Sequence, residues 1–233
     1  MYNDITASHY EAYRPPLHEL ILSRALSRRR RQESGLDIGC GTGCSARALA
    51  KYCERVLAID PSGAMLCRAR RSDRIRFIAA AGENIPVAPG SVDVVTLAGS
   101  LNYIDRGTLV GELQRVCRRD AGIVVYDFKV DLSSVDEDLG IELSQSSTPY
   151  DHSLNLDGFP QLRRIECVQD TVELDLEVSE LVHLLLSESE RYAILEERYH
   201  TVDVDASLAT RIRGNGIELS VRADIYFSVY TLG

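Results

Sequence analysis

GLDIGCGTG, Gly35 to Gly43, is the stretch on which the reading of this 233-residue chain turns. Apolar residues lead into an acid, Asp37, and three glycines then alternate with small residues. That is the pattern of a short buried strand turning sharply into a helix. Gly39, Gly41 and Gly43 allow positive φ and remove the Cβ atoms that would hold a ligand away from the backbone. Glycine turns also arise for purely structural reasons, so the loop alone leaves the ligand open.

Working outward, Asp60 follows Gly43 by seventeen residues and ends VLAID, a second buried strand that runs into the turn Pro61-Ser62-Gly63. In nucleotide-binding βαβ units an acid at about that distance accepts hydrogen bonds from the ribose hydroxyls. The two features together point to a ribose-bearing cofactor across the carboxyl ends of the first two strands. A dinucleotide frame, G-x-G-x-x-G/A, can be drawn through Gly41, Gly43 and Ala46, so the motif alone admits NAD. Asp37 weighs against it, because a carboxylate just before the loop opposes a pyrophosphate and suits an ammonium group, directly or through water.

The segments LDIGCGTG (36–43), AIDPSGAML (58–66) and AAGENIPVAPGSVDVVTLAGSLNYID (80–105) together resemble the class I S-adenosylmethionine-dependent methyltransferases, in the small-molecule branch of menaquinone and trans-aconitate methyltransferase types. The resemblance covers roughly residues 9 to 130 well and the remainder loosely. It implies an α/β, doubly wound, Rossmann-like fold: a seven-stranded, mostly parallel sheet with an antiparallel last strand, an N-terminal helix and a lid inserted after strand 5. It also implies S-adenosyl-L-methionine as cofactor and S-adenosyl-L-homocysteine as product. The cofactor-binding set it implies is Tyr10, Arg14, Asp37, Gly39, Cys40, Gly41, Asp60, Pro61, Met65, Gly82, Glu83 and Ala98. Tyr10 and Arg14 stand in a Y-x-x-Y-R-P segment that folds over the cofactor in that family, and Met65 stands where an apolar residue packs on adenine. Related enzymes often carry an aspartate at the position of Ala81, so adenine recognition here is expected to rest on the backbone of Gly82 and Glu83.

The chain in order reads as a helix over 17–31, a helix from 44 to 53, a strand at 56–60, a helix from 63 to 71 and a strand at 75–80. Val92 to Ala98 is a near-continuous apolar run, as expected of a strand buried on both faces of a parallel sheet. A helix over 106–117 and a strand at 122–130 complete a βαβαβαβαβ order, which implies a parallel sheet with right-handed crossovers. The loop after Val92–Ala98 is the expected boundary between cofactor and acceptor, with Asn102 and Tyr103 as candidate acceptor contacts and structural capping as the alternative. It lacks the Asn/Asp-Pro-Pro-aromatic signature of methyltransferases acting on exocyclic or amide nitrogens. Residues 131–176 resist assignment until RRIECVQDTVELDLEV alternates as strands do. A single helix over 179–200, another over 203–213 and strands near the C-terminus follow. His152, in Tyr150-Asp151-His152, is the one histidine of the 131–176 stretch and the candidate general base. An ordinary surface histidine is the competing reading.

The length suits one domain, read as an N-terminal cap (1–33), a cofactor-binding core (34–130), a substrate lid (131–200) and a closing helix and strands (201–233). Net charge is −9, but residues up to Val130 hold 19 Lys and Arg against 14 Asp and Glu, while the rest hold 7 against 21. The arginine clusters, Arg28 to Arg31 and Arg68 to Arg76, can contact phosphates, yet the acidic second half and the lack of an aromatic stripe disfavour nucleic acid. No apolar run approaches the ~20 residues of a membrane helix and no basic-then-apolar leader is visible, so a cytoplasmic location is expected. Six cysteines without C-x-x-C pairing indicate neither a zinc site nor a disulfide framework. The function expected is methyl transfer to a small-molecule acceptor. An NAD-dependent oxidoreductase, a non-catalytic S-adenosylmethionine-binding module and an RNA or protein methyltransferase are the alternatives. Neither the acceptor atom nor the oligomeric state is legible.

Overall fold

The computed structural model describes all residues except 1–5, 7, 10, 11, 14, 145–149, 201 and 202. Tyr10 and Arg14 therefore lie outside the described residues. The elements are α1 (Leu17–Ala25), β1 (Gln32–Ile38), α2 (Cys44–Leu49), β2 (Cys53–Asp60), α3 (Gly63–Cys67), β3 (Ile75–Ala79), β4 (Val92–Ala98), a 3₁₀ turn (Leu101–Tyr103), α4 (Arg106–Val116), β5 (Cys117–Asp131), α5 (Ser133–Leu139), β6 (Leu162–Asp175), α6 (Val178–Leu186), α7 (Ser189–Tyr199), α8 (Val204–Asn215) and β7 (Ser220–Leu232).

The strands lie side by side in the order β3-β2-β1-β4-β5-β7-β6. Strands β1 to β5 are parallel, and the sheet is mostly parallel with antiparallel last strands, as expected. Register aligns the carboxyl ends: Ile38 sits beside Ile59 and Leu97, and Ala98 sits beside Tyr126. The strand order reverses between β1 and β4, which places the topological switch point, and hence the ligand crevice, at the loops Gly39–Gly43 and Gly99–Tyr103.

Burial follows from the apolar runs. Six of the seven residues of β4 are buried, and Leu36, Ile38, Val95, Leu97, Ile123 and Val125 form a core with Leu109, Leu113 and Val116 of α4. Asp105 caps α4 by accepting the Thr108 N–H at 2.8 Å. The chain divides into two units: residues 16–128, 150–170 and 225–233 form one, and residues 1–15, 129–149 and 171–224 the other. The second unit has its own core, in which Val135, Leu139, Leu181, Leu185, Leu195 and Leu208 bring α5 to α8 together. Within it Arg191 forms a two-pronged pair with the buried Asp136, at 2.7 and 2.8 Å.

Several boundaries differ from the sequence reading, each for a local reason. The helix over 17–31 ends at Ala25, and the arginine run beyond it serves as anchors: Arg29 donates to the Asp120 carbonyl at 3.0 Å and Arg31 to that of Cys53 at 3.2 Å. The helix over 179–200 is two helices, because the Glu188 carboxylate accepts the Glu190 and Arg191 N–H groups and starts a new one. The C-terminal strands are one strand, β7, and β5 begins at Cys117 rather than Gly122. Helices α2 and α3 are shorter than read, ending at Leu49 and Cys67. Among the described residues no helix is long and apolar enough to cross a membrane.

Candidate active site

The loop after β1 is held from below. The Gly39 and Cys40 N–H groups both donate to the Ile59 carbonyl, at 2.8 and 3.0 Å, and the Gly41 N–H donates to Asp60 Oδ2 at 2.9 Å. The other oxygen of Asp60 accepts the Ser62 N–H at 2.8 Å. Each oxygen thus keeps a lone pair for a ligand, since a carboxylate offers about four acceptor sites. At Gly39, φ is +72° and an added Cβ would lie 2.3 Å from the Ser100 Cβ. The loops after β1 and β4 can approach this closely only with glycine there, and the Ser100 hydroxyl donates to the Ile38 carbonyl at 2.7 Å.

Asp37 lies beneath this loop with no exposed surface. Its two oxygens accept the hydroxyls of Ser45, at 2.5 Å, and Thr96, at 2.6 Å, tying β1 to α2 and β4. Burial pushes its carboxyl up to about 6, opposed by those two hydrogen bonds and reinforced by the charge of Asp60. An acid raised in this way binds its proton more tightly when folded. Its stabilising contribution is fully present below about pH 4 and is lost as pH rises to about 6, a change on the order of 3 kcal/mol. Asp37→Asn should therefore gain stability relative to the parent chain by about that amount between pH 4 and 7 in urea titrations. Parallel pH profiles for the two chains would disprove the assignment.

Across the crevice, Asp127 of β5, one residue beyond the level at which β4 ends, gathers a second cluster. Its Oδ2 accepts the Tyr150 hydroxyl at 2.9 Å and lies 2.9 Å from His152 Nδ1, while the Phe128 N–H holds Oδ1 at 2.8 Å. The Tyr150 hydroxyl also lies 2.8 Å from the Gly99 carbonyl, so its one proton is shared between the two acceptors. Burial, then the Asp127 charge, raises the Tyr150 phenol above its ordinary value and keeps it neutral. The His152 ring lies edge-on to Tyr150, with centroids 4.7 Å apart, and stacks on Tyr226 at 6.2 Å. Clefts of about 180 and 280 Å³ flank His152, the first lined by Asn102, Asp127 and Leu154, the second by Cys167, Gln169 and Tyr226.

Residues 36–125 match a family described as a methyltransferase domain. The glycine cradle and Asp60 thus lie in a segment similar to methyltransferase domains. The chain is 32% identical over 139 residues to the probable S-adenosylmethionine-dependent methyltransferase CRG1 of Saccharomyces cerevisiae, covering 56% of this chain and 47% of that protein. It is 36% identical over 98 residues to the demethylmenaquinone methyltransferase of Clavibacter sepedonicus, covering 40% of each. The chain spans less than half the length of these curated relatives. A structure from Anaeromyxobacter dehalogenans, provisionally named a type II methyltransferase, superposes with a TM-score of 0.64 at 23% identity, covering 94% of this chain and 97% of that one. Geranyl diphosphate methyltransferase in complex with S-adenosylmethionine gives 0.53 at 14%, covering 93% and 85%. At such identities the superpositions establish the fold.

Within this segment, Gly39, Cys40, Gly41, Asp60, Pro61 and Met65 lie around one turn, with Ala98 at the adjoining strand end. Met65 is 38% exposed, and its Cε lies 3.4 Å from where a Gly41 Cβ would stand. Met65, Tyr103 and Tyr150 are three of the four large hydrophobic side chains exposed among the described residues, Met65 in α3, Tyr103 in the 3₁₀ turn and Tyr150 between α5 and β6. Cys40 is buried, and burial next to Asp37 and Asp60 raises its thiol well above its ordinary value, so it stays protonated. An added Gly82 Cβ would lie 3.0 Å from Ile38, and the Glu83 carboxylate accepts the Asp105 N–H at 3.0 Å. Asn102 is bonded to the backbone of Asp151, at 3.0 Å, as a cap would be. Tyr103 is 78% exposed.

Sequence reasoning missed Ser45, Thr96, Ser100, Asp127 and Tyr150. Asp127 carried a faint signal, as the first acid after the apolar IVVY of β5. Nothing in the spacing tied it to a histidine 25 residues later.

Proposed function

We propose that the chain transfers a methyl group from S-adenosylmethionine to a small-molecule acceptor, with His152 as general base. The observation that carries this reading is the meeting, at one end of one sheet, of a glycine cradle closed by Asp60 and a His152–Asp127 pair. The cradle fits the cofactor: Gly41 leaves the backbone open, Asp60 keeps free lone pairs, and Met65 offers an exposed apolar surface. When bound, S-adenosylmethionine supplies a methyl group on a sulfonium, already a good leaving group.

The protein's own work is to position, to exclude water and to take a proton. Asp60 binds the ribose hydroxyls, while Met65 and the backbone at Gly82 and Glu83 flank the adenine. Asp37 acts from beneath, by fixing the loop through Ser45 and Thr96. Asp127 accepts from His152 Nδ1–H, which fixes the tautomer and leaves the Nε2 lone pair to receive the acceptor's proton. Asn102 and Tyr103 border the acceptor. On this reading residues 131–200 are the methyltransferase's inserted acceptor-recognition segment.

Calorimetry with S-adenosylmethionine, S-adenosylhomocysteine and NAD tests the cofactor. Micromolar binding of the first two and none of the third is expected. Asp60→Ala should weaken cofactor binding by roughly 2 to 4 kcal/mol with the circular dichroism spectrum intact, and unchanged affinity would refute the ribose assignment. Screening small hydroxyl, phenol and amine compounds for release of S-adenosylhomocysteine tests the acceptor class. Tight cofactor binding with no turnover would mark a binding module, and turnover only with RNA would mark a macromolecular target.

A further inference from the structure

The second unit holds a histidine pair that methyl transfer does not use. His9, in the N-terminal segment, and His183, on α6, face each other with Nδ1 to Nδ1 at 3.0 Å and ring centroids 5.3 Å apart. His9 is buried, at 7% exposure, while His183 is partly buried. Asp205, in the first turn of α8, brings Oδ1 to 3.7 Å from His9 Nε2. Asp205 is not needed to cap that helix, since Asp203 already accepts the Ala206 N–H at 2.9 Å. One ligand atom from each of the three residues can be chosen so that all lie within 4.8 Å of one another.

We propose that His9, His183 and Asp205 bind a divalent transition metal of the zinc class. Two nitrogen ligands at about 2.0–2.1 Å from a common ion stand roughly 3.0–3.4 Å apart, and the two Nδ1 atoms are already there, while Asp205 faces the other nitrogen of His9 and would turn toward the pair. The longest separation two such bonds allow is about 4.2 Å, so the set closes by roughly half an ångström. The Asp205 side chain is 47% exposed and is free to make that turn. Two imidazoles and one carboxylate, with no thiolate, suit zinc, cobalt or nickel rather than calcium or magnesium, which prefer all-oxygen shells. Three protein ligands leave a position for water or a further ligand. The three residues are 174 and 22 positions apart in the chain, so no sequence spacing announces them, and the cysteine reading that indicated no zinc site was looking at other side chains. The inference stands on the second unit alone and is independent of the proposed reaction.

The experiment uses the full chain without a histidine tag, stripped with a chelator and titrated with Zn²⁺ by calorimetry and with Co²⁺ by visible absorption. One ion per chain is expected, with a nitrogen and oxygen spectrum free of thiolate charge-transfer bands. His183→Gln and Asp205→Asn should each weaken binding at least about 10-fold, whereas Cys67→Ser and Cys167→Ser should leave it unchanged. No saturable binding, equal affinity in the two ligand variants and the parent chain, or thiolate bands would overturn the proposal. Should His183→Gln fail to fold, Asp205→Asn carries the test, because its side chain is half exposed and its helix keeps the Asp203 cap.

Discussion

His152→Ala is expected to lower kcat by about 10²–10⁴-fold while leaving S-adenosylmethionine affinity within about twofold, because general-base catalysis is worth that much and the cradle lies on other residues. The side chain is placed rather than loose: Asp127 holds Nδ1 at 2.9 Å, and Tyr150 and Tyr226 flank the ring. Asp127→Asn separates orientation from proton transfer. The new amide still reaches Nδ1 but can donate to it, which draws the unprotonated nitrogen toward that amide and away from the acceptor. That variant should lose a large part of the same factor with a folded chain and normal cofactor binding. Turnover of S-adenosylmethionine with the acceptor found by screening measures both. A His152→Ala chain with full kcat would make His152 a surface histidine, and the reaction would then run on positioning alone.

Gly39→Ala is the second large effect. The new Cβ would stand 2.3 Å from the Ser100 Cβ, and the backbone φ of +72° is one that alanine adopts with strain. Left-handed backbone in a non-glycine residue costs about 1–3 kcal/mol, and overpacking a tight site a further 1–3 kcal/mol, so destabilisation of roughly 2–6 kcal/mol is expected. Cofactor affinity should fall with it, since the same loop presents the Gly41 backbone. Denaturant titration and cofactor calorimetry check the two together. Ser100→Gly removes the atom in the way, so the double variant should recover the overpacking part and keep the strain part. A double variant no more stable than Gly39→Ala would show that the loop does not depend on that approach.

The cradle proposed for the cofactor was legible as a local structure because its residues are close in sequence and each signal has one local cause. GLDIGCGTG announced the strand, the sharp turn and the helix. Asp60 at the end of VLAID announced the second strand's carboxyl end, and VDVVTLA announced a strand buried on both faces. Each depends on neighbours a few residues away, and periodicity, turn chemistry and strand length act at that range. Helix ends were less legible for the same reason. Whether Arg28 to Arg31 continue a helix depends on carbonyls at Cys53 and Asp120, which are remote in the chain.

By itself, then, the sequence determined the doubly wound sheet, the glycine cradle and the acid that closes it. The tertiary structure alone decided that Asp37 is a buried strut whose oxygens accept from Ser45 and Thr96, where the sequence suggested a partner for an ammonium group. It alone brought Asp127 to His152 across 25 residues of irregular chain, and His9 to His183 across 174. Such pairs form when strands end at one edge or helices close on one core, and both depend on packing between segments whose separation in the chain carries no pattern.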